Sequence, residues 1–428
     1  MAGQTYTKIH KQYTKYFAKP IQLNDSIFMI GLNLPATKNT SHAALYTLDS
    51  NGNLAEFKNL YRIGQVDTNW LYLTHVHQDK QGNYYAFGLI GYNDQYAALG
   101  YMLKVDSYGN KVALKYYRGT GKDFHFEAIV YDTITNSFII TGSAEQETPN
   151  KLYSFVMRID SNGNYTHYNT FRQEYEFIQI KHEWNALILS GSHWEPLDSQ
   201  IKETAPVIRY LRLDDLTSKW KHPLYYGETD GYFGYNSYST PNGYIYFNAD
   251  IKKNTNGFNS NNHIIKLDTN GQILSYTATC SKDSLKSLEA GYQLDDSVNI
   301  EIGAYRKPPY SNWDWKFLIR KSSLSGKVYN EWIWDSNVSG TYYPNILHTY
   351  NNTSLVAIRL GESLSYTPLV LMKFDSDLKR IPFDEGAKPM EYMPNIKKGD
   401  TLYVDGGTDT VYLYNKTSIW ESMKEEKI

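Results

Sequence analysis

Cysteine is almost missing from these 428 residues, since Cys280 stands alone. A single thiol excludes an intrachain disulfide and any CxxC metal or redox pair, so the fold must be held by packing. Long apolar runs are missing as well. Stretches such as 138–141 and 186–189 fall far short of the roughly 20 residues that span a bilayer, and no membrane insertion is expected. An excess of either charge is absent too: 43 Lys and Arg face 45 Asp and Glu, for a net charge of −2. Such a surface does not displace counterions from phosphates, which sets nucleic acid aside as a partner. The one charged run, Lys424-Glu425-Glu426-Lys427, reads as a solvated tail. The start, Met1-Ala2-Gly3-Gln4, has neither the basic nor the apolar region of a secretory signal, and fits a mature start carrying an added Met.

What the chain has in abundance is tyrosine, 40 residues beside 16 Phe and 9 Trp. Aromatic and β-branched side chains suit the pleated, half-buried surface of strands, so sheet is expected throughout. One pattern recurs: an alternating apolar run, a basic residue near its end, then Asp and a small polar turn. It reads Leu48-Asp49-Ser50-Asn51-Gly52, Lys104-Val105-Asp106, Arg158-Ile159-Asp160-Ser161-Asn162-Gly163, Arg212-Leu213-Asp214, Lys266-Leu267-Asp268, Arg320-Lys321-Ser322 and Lys373-Phe374-Asp375. The steps between key positions are 57, 54, 54, 54, 54 and 53 residues. A second ladder keeps pace about 18 residues upstream, in apolar strands that mostly end in Gly, such as Ile140-Thr141-Gly142 and Leu189-Ser190-Gly191. Two landmarks in step mark a repeat of about 54 residues.

Within the third repeat, strand-like runs cover 127–132, 137–142, 152–160 and 165–171, with turn residues between them. Four antiparallel strands per unit make a propeller blade. An Asp-Ser-Asn-Gly segment closes a hairpin well, because the carboxylate takes backbone amides two residues on and Gly accepts positive φ. The same segments lack the Glu and the flanking helices of an EF-hand, so they read as turns rather than calcium loops. Leucine-rich and β-helical repeats are shorter, and helical repeats would show a 3.6 period. The expectation is an all-β, seven-bladed β-propeller of four-stranded antiparallel blades. Length alone would suggest two or three domains, but repeats pack only on their neighbours. The propeller is therefore placed at 1–383, with segment 6–10 able to add an outer strand to the last blade. Residues 384–428 form an extension with a hairpin pairing 401–404 and 411–414.

The cadence through Asp49, Asp106, Asp160 and Asp268 resembles uncharacterised secreted propellers of Bacteroidota-type bacteria over residues 15–383. The resemblance implies an extracellular or cell-surface location and cargo of type IX secretion, although neither a signal peptide nor a sorting domain is visible. It specifies no ligand.

Function is expected in the loops joining strand two to strand three, which are long and dissimilar where the Asp turns are short and uniform. They present Tyr92 and Tyr96, Trp194 after His193, Phe258, and the segment Tyr305-Arg306-Lys307-Pro308-Pro309-Tyr310-Ser311-Asn312-Trp313-Asp314-Trp315. Aromatics with polar tips stack on sugars or peptide groups, so Tyr92, Tyr96, Trp194, Tyr305, Arg306, Tyr310 and Trp313 are the candidate binding residues. Packing against a neighbouring blade explains Trp313 and Trp315 equally simply. His75 and His77 share a strand face but lack an evident third ligand, so no metal is assigned. Ten arginines, three of them at the repeated strand position, do not suggest the arginine cluster with which a sialidase binds a carboxylate. No nucleophile elbow, phosphate loop or dinucleotide fingerprint is present, and catalytic residues and cofactors stay unassigned. The sequence reads as a non-enzymatic, monomeric binding propeller for a carbohydrate or protein partner. A glycan-processing hydrolase or lyase at the channel mouth and a structural spacer are the alternatives.

Overall fold

In a computed structural model, the described residues are 7–14, 18, 20–24, 27–35, 41–49, 54–56, 70–92, 97–108, 110–118, 124–145, 152–172, 174–197, 201–223, 231–255, 257–281, 285–306, 316–334, 345–348, 353–359, 367–381, 401–404 and 407–410. All the regular structure among them is strand. After β1 (Thr7–Thr14), blade 1 is β2–β5 (Ile21–Asn24, Ile27–Pro35, Ser41–Asp49, Leu54–Glu56), and blade 2 is β6–β9 (Trp70–Gln78, Tyr84–Tyr92, Ala97–Val105, Lys111–Tyr117). Blade 3 is β10–β13 (Phe124–Asp132, Ser137–Glu145, Leu152–Asp160, Tyr165–Arg172), and blade 4 is β14–β17 (Glu174–Glu183, Ala186–Leu197, Ile201–Arg212, Ser218–Pro223). Blade 5 is β18–β21 (Gly231–Ser239, Tyr244–Thr255, Gly257–Asp268, Ile273–Ser281), and blade 6 is β22–β25 (Leu285–Gln293, Val298–Arg306, Lys316–Ser323, Val328–Trp334). In each, strands pair antiparallel in sequence order.

The seventh repeat departs from the expected count. It supplies β26 (Asn345–His348), β27 (Ser354–Arg359), β28 (Thr367–Phe374) and β29 (Arg380–Ile381) to a five-stranded sheet that also takes β1. Among the described residues, four-stranded blades therefore number six, not seven. The reason is local: β29 has two residues and covers only Lys373 and Phe374, while β1 pairs with β28 from Thr367 to Met372. Consecutive sheets lie side by side, β3 on β6, β6 on β10, β10 on β14, β14 on β18, β18 on β22 and β22 on β26, and β1 returns to β3. The fold is an all-β propeller of four-stranded antiparallel blades closed by this fifth-strand sheet.

The core sits between sheets rather than inside one. Tyr85 and Phe87 of blade 2 pack with Phe126, Phe138 and Phe155 of blade 3, and Phe87 meets Phe138 with ring centroids 4.8 Å apart. Ile300 and Phe317 of blade 6 pack with Val356, Val370 and Met372 of the closing sheet. Each fully buried side chain of this size contributes about 1.5–3 kcal/mol, so the ring is held by successive apolar seams. Past the ring, β30 (Thr401–Val404) pairs with β31 (Gly407–Thr410); the expected partner 411–414 lies outside the described residues.

Candidate functional site

Antiparallel order puts the turns between strands 1 and 2 and between strands 3 and 4 on one face of the ring. The connections between strands 2 and 3 emerge on the other. The first face is built from one repeated device. In blade 3, Asp160 Oδ1 accepts the amides of Asn162 at 2.8 Å and Asn164 at 2.9 Å, and Oδ2 accepts Asn164 Nδ2 at 3.0 Å. Gly163 follows at φ 81°, where a side chain is strained. Asp106, Asp268 and Asp375 bind the amides two and four residues on in the same way. Asp carboxylates are thus spent within their own turns. Burial pushes the Asp160 carboxyl up, but the hydrogen bonds from Asn164, Asn162 and Gly163 outweigh it and hold the group below the usual range.

Two features of this device escaped the sequence. Asp79-Lys80-Gln81-Gly82-Asn83 makes the same turn between strands 1 and 2 of blade 2, with Asp79 Oδ1 accepting Gln81 and Asn83 amides at 2.9 Å. Its spacing matches that of Asp160 to Asn164, which was the available signal. In blade 6 the first turn residue is Ser323 rather than Ser322: Ser323 Oγ accepts the Lys327 amide at 2.9 Å.

The basic residue of the repeat serves the next sheet. Lys104 Nζ reaches the Ser161 carbonyl at 3.3 Å, and the Arg158 guanidinium donates to the Leu213 and Asp214 carbonyls, the latter at 3.2 Å. Lys321 Nζ lies 2.8 Å from Asp377. Outer strands reinforce the contact: Tyr117 Oη donates to the Gly163 carbonyl at 2.8 Å and Trp220 Nε1 to the Thr269 carbonyl at 3.0 Å.

Inner-strand groups are equally engaged. Lys181 on β14 donates to Ser239 Oγ on β18 at 2.6 Å and to Gln293 Oε1 on β22 at 3.4 Å, and pairs with Glu183 at 3.2 Å. Burial lowers its pKa, with Glu183 opposing. Between blades 5 and 6, Glu301 is fully buried; Tyr238 Oη and Asn248 Nδ2 donate to one oxygen at 3.0 and 2.8 Å, and Arg320 and Ser322 to the other at 2.7 and 3.2 Å. His77 packs its ring on Tyr131 at 4.2 Å and Phe138 at 5.4 Å, and burial lowers its pKa to about 4 against the pull of Asp79. It is a packing residue. Among the described residues no three His, Cys, Asp or Glu side chains gather as a metal would need, and no helix is long and apolar enough to cross a membrane.

The opposite face is uneven. Strands 2 and 3 have nine residues each in blades 1, 2 and 3 but twelve each in blades 4 and 5. In blade 4 the last described flanking pairs are Glu174↔His193 and Val207↔Pro223, and among the described residues 194–197 and 201–204 pair with each other, out to Leu197↔Ile201. In blade 5 the last described flanking pairs are Gly231↔Lys252 and Ser260↔Ser281, and among the described residues 253–255 and 257–259 pair with each other as a shorter projection. Two neighbouring blades thus carry hairpin arms on one face.

Of the candidate binding residues, Trp194 begins the longer arm, opposite Thr204, and Tyr92 ends β7, opposite Ala97. Tyr305 and Arg306 belong to β23 rather than to a loop, and Tyr305 is buried against Leu288 and Leu318. Tyr96, Tyr310 and Trp313 lie outside the described residues.

No protein-family model and no curated protein matches this chain. Among solved structures it is similar to a puromycin hydrolase, with TM-score 0.50 and 10% identity over 90% of this chain and 56% of that one, so it spans about half of that enzyme. It is also similar to a protein of unknown function from Dyadobacter fermentans DSM 18053 (TM-score 0.48, 10% identity, 87% of this chain and 98% of that one). A third is the WD40 domain of Pan2 from Neurospora crassa (TM-score 0.45, 10% identity, 90% and 97%). At such identity the likeness concerns the fold alone, a β-propeller.

Proposed function

We propose that the protein is a binding propeller that holds a carbohydrate or protein partner on the face bearing the strand 2 to strand 3 connections, at the arms of blades 4 and 5. One observation supports this reading: among the described residues, two adjacent blades extend paired strands past the last described pairs with their flanking strands, 194–197 with 201–204 and 253–255 with 257–259. A rigid scaffold that projects backbone on one side only favours recognition there. Trp194 at the base of the longer arm supplies an aromatic group of the kind enriched at interfaces.

The reading takes residues 1–383 as the propeller and 384–428 as an extension. The resemblance of its repeats to secreted propellers extends the proposal to an extracellular or cell-surface site of action.

The test is a glycan array and a polysaccharide pull-down, run beside a pull-down of proteins from the producing organism's surface. A variant in which Asn-Gly replaces 194–204, and another Asn-Gly replaces 253–259, keeps the last flanking pairs His193↔Ala205 and Lys252↔Ser260. Binding by the parent and its loss in the trimmed chain is the expected result. Full retention by the trimmed chain overturns the reading, and loss only in a Tyr310→Ala/Trp313→Ala variant moves the site to 307–315.

A further inference from the structure

The closing sheet differs from the blades in where its outer strand comes from. In blades 1 to 6 the fourth strand follows the third through a short turn, so the two cannot part without unfolding a hairpin. On β28 that place is shared. β29 takes only Lys373 and Phe374, and the stretch Thr367 to Met372 is covered by β1, which arrives from the other end of the chain. The β1 ladder is short and broken: Thr7 to His10 pair with Met372 to Leu369, the register shifts, and Tyr13 and Thr14 complete it. Its tether is short as well. Residues 15–20 join it to β2, and Ala18 within them is fully buried and donates its amide to the Gly31 carbonyl, anchoring the tether to blade 1.

We propose that β1 is an exchangeable closing strand, and that the Thr367–Met372 edge also accepts β1 from a second copy of this chain. Every backbone bond made within one chain is available between two, because the donor strand and the acceptor edge are both present in each copy. What favours closure within a chain is only the effective concentration set by the tether, of millimolar order for short links. Exchange of identical elements between copies then requires no new interface. The edge is specific for this strand rather than for an arbitrary one, since its neighbours fix both register and length: β29 blocks it beyond Lys373, and the shift between His10 and Tyr13 must be matched.

The experiment uses the full chain with Cys280→Ser as background. Ile9 and Val370 are register partners, as are Lys8 and Leu371. The double variants Ile9→Cys/Val370→Cys and Lys8→Cys/Leu371→Cys should each form a cross-link within one chain on oxidation. The single variants, Ile9→Cys mixed with Val370→Cys and Lys8→Cys mixed with Leu371→Cys, should yield covalent heterodimers. Their fraction should rise with protein concentration toward the millimolar range. A mismatched mixture, Ile9→Cys with Lys321→Cys, sets the level of random collision. Heterodimer from both matched mixtures, at several-fold above the mismatched one, supports exchange. Cross-linking within chains but no heterodimer above the mismatched level overturns it, and failure of both double variants to cross-link within a chain overturns it at its root.

Discussion

On the face carrying the strand 3 to strand 4 turns, the same kinds of atoms meet at sheet after sheet. A carboxylate or hydroxyl closes its own turn, and a Lys or Arg of one sheet reaches the turn of the next, as Lys104, Arg158 and Lys321 do. On the opposite face the blades differ in strand length, and among the described residues the arms of blades 4 and 5 end in residues that pair with each other. One face ties neighbouring sheets together through turns whose carboxylates are bound by their own amides. The other carries connections of unequal length, and trimming them tests whether the ring depends on that side. The lesson is that uniformity in a repeat marks the scaffold, and irregularity marks the place to look for recognition.

The contrast is broken most severely at a seam. Arg320→Met leaves the fully buried Glu301 carboxylate without its cation, and loss of one partner from a buried pair costs about 3–5 kcal/mol. Urea unfolding of the variant should show that loss, while binding at the arms is unchanged in whatever fraction remains folded. Next in size is Gly163→Ala. A Cβ there would sit 2.7 Å from Met102 Cε and Lys115 Cγ and 2.9 Å from Tyr117 Oη, at φ 81°. The left-handed conformation and the crowding together should cost roughly 2 kcal/mol, and the seam between blades 2 and 3 should exchange its amide hydrogens faster.

How much of this was legible follows from how local each cause is. The Asp turns were readable because carboxylate, amides and positive-φ Gly lie within five residues, as from Asp160 to Asn164. The role of the preceding base was not, since Lys104, Arg158 and Lys321 find their partners 55 to 57 residues away. The last blade was miscounted for a similar reason: its repeat signal at Lys373-Phe374-Asp375 is intact, but the strand that should follow is two residues long and its place is filled from the N-terminus. Leu378 shows the same limit. It occupies, at φ 63°, the turn position that Gly163 fills in blade 3, and is kept there by burial among Ile346, Phe374 and their neighbours. Of the binding candidates, Trp194 falls in the long arm, whose length is visible in sequence, whereas Tyr305 lies within β23, because nothing in Ala304-Tyr305-Arg306 announces that the strand continues through it.

A smaller effect concerns pH. Burial raises the Asp79 carboxyl, but hydrogen bonds from Asn83, Tyr85 and Gln81 outweigh it and set its pKa below the ordinary value. A depressed folded-state pKa adds stability that is complete above the unfolded value of about 3.9 and is lost as pH falls through the folded one. Asp79→Asn should therefore cost about 1 kcal/mol at pH 7, with the gap to the parent closing below about pH 4. A gap that is constant from pH 7 to pH 3 would show that the carboxylate's charge is irrelevant to the turn.

The smallest expected change in stability comes from the largest change in sequence. Replacing 194–204 and 253–259 each by Asn-Gly exchanges 18 residues for four, yet every described pair that ties the arms to their blades, up to His193↔Ala205 and Lys252↔Ser260, is retained. Among the described residues, those removed pair with one another, and shortening a surface loop slightly reduces the entropy cost of closing it. The unfolding free energy should therefore stay within about 0.5 kcal/mol of the parent. A loss of 2 kcal/mol or more would mean that the arms brace the ring as the turns do, and the division between a latched face and a free one would fail at the blades where it is drawn most sharply.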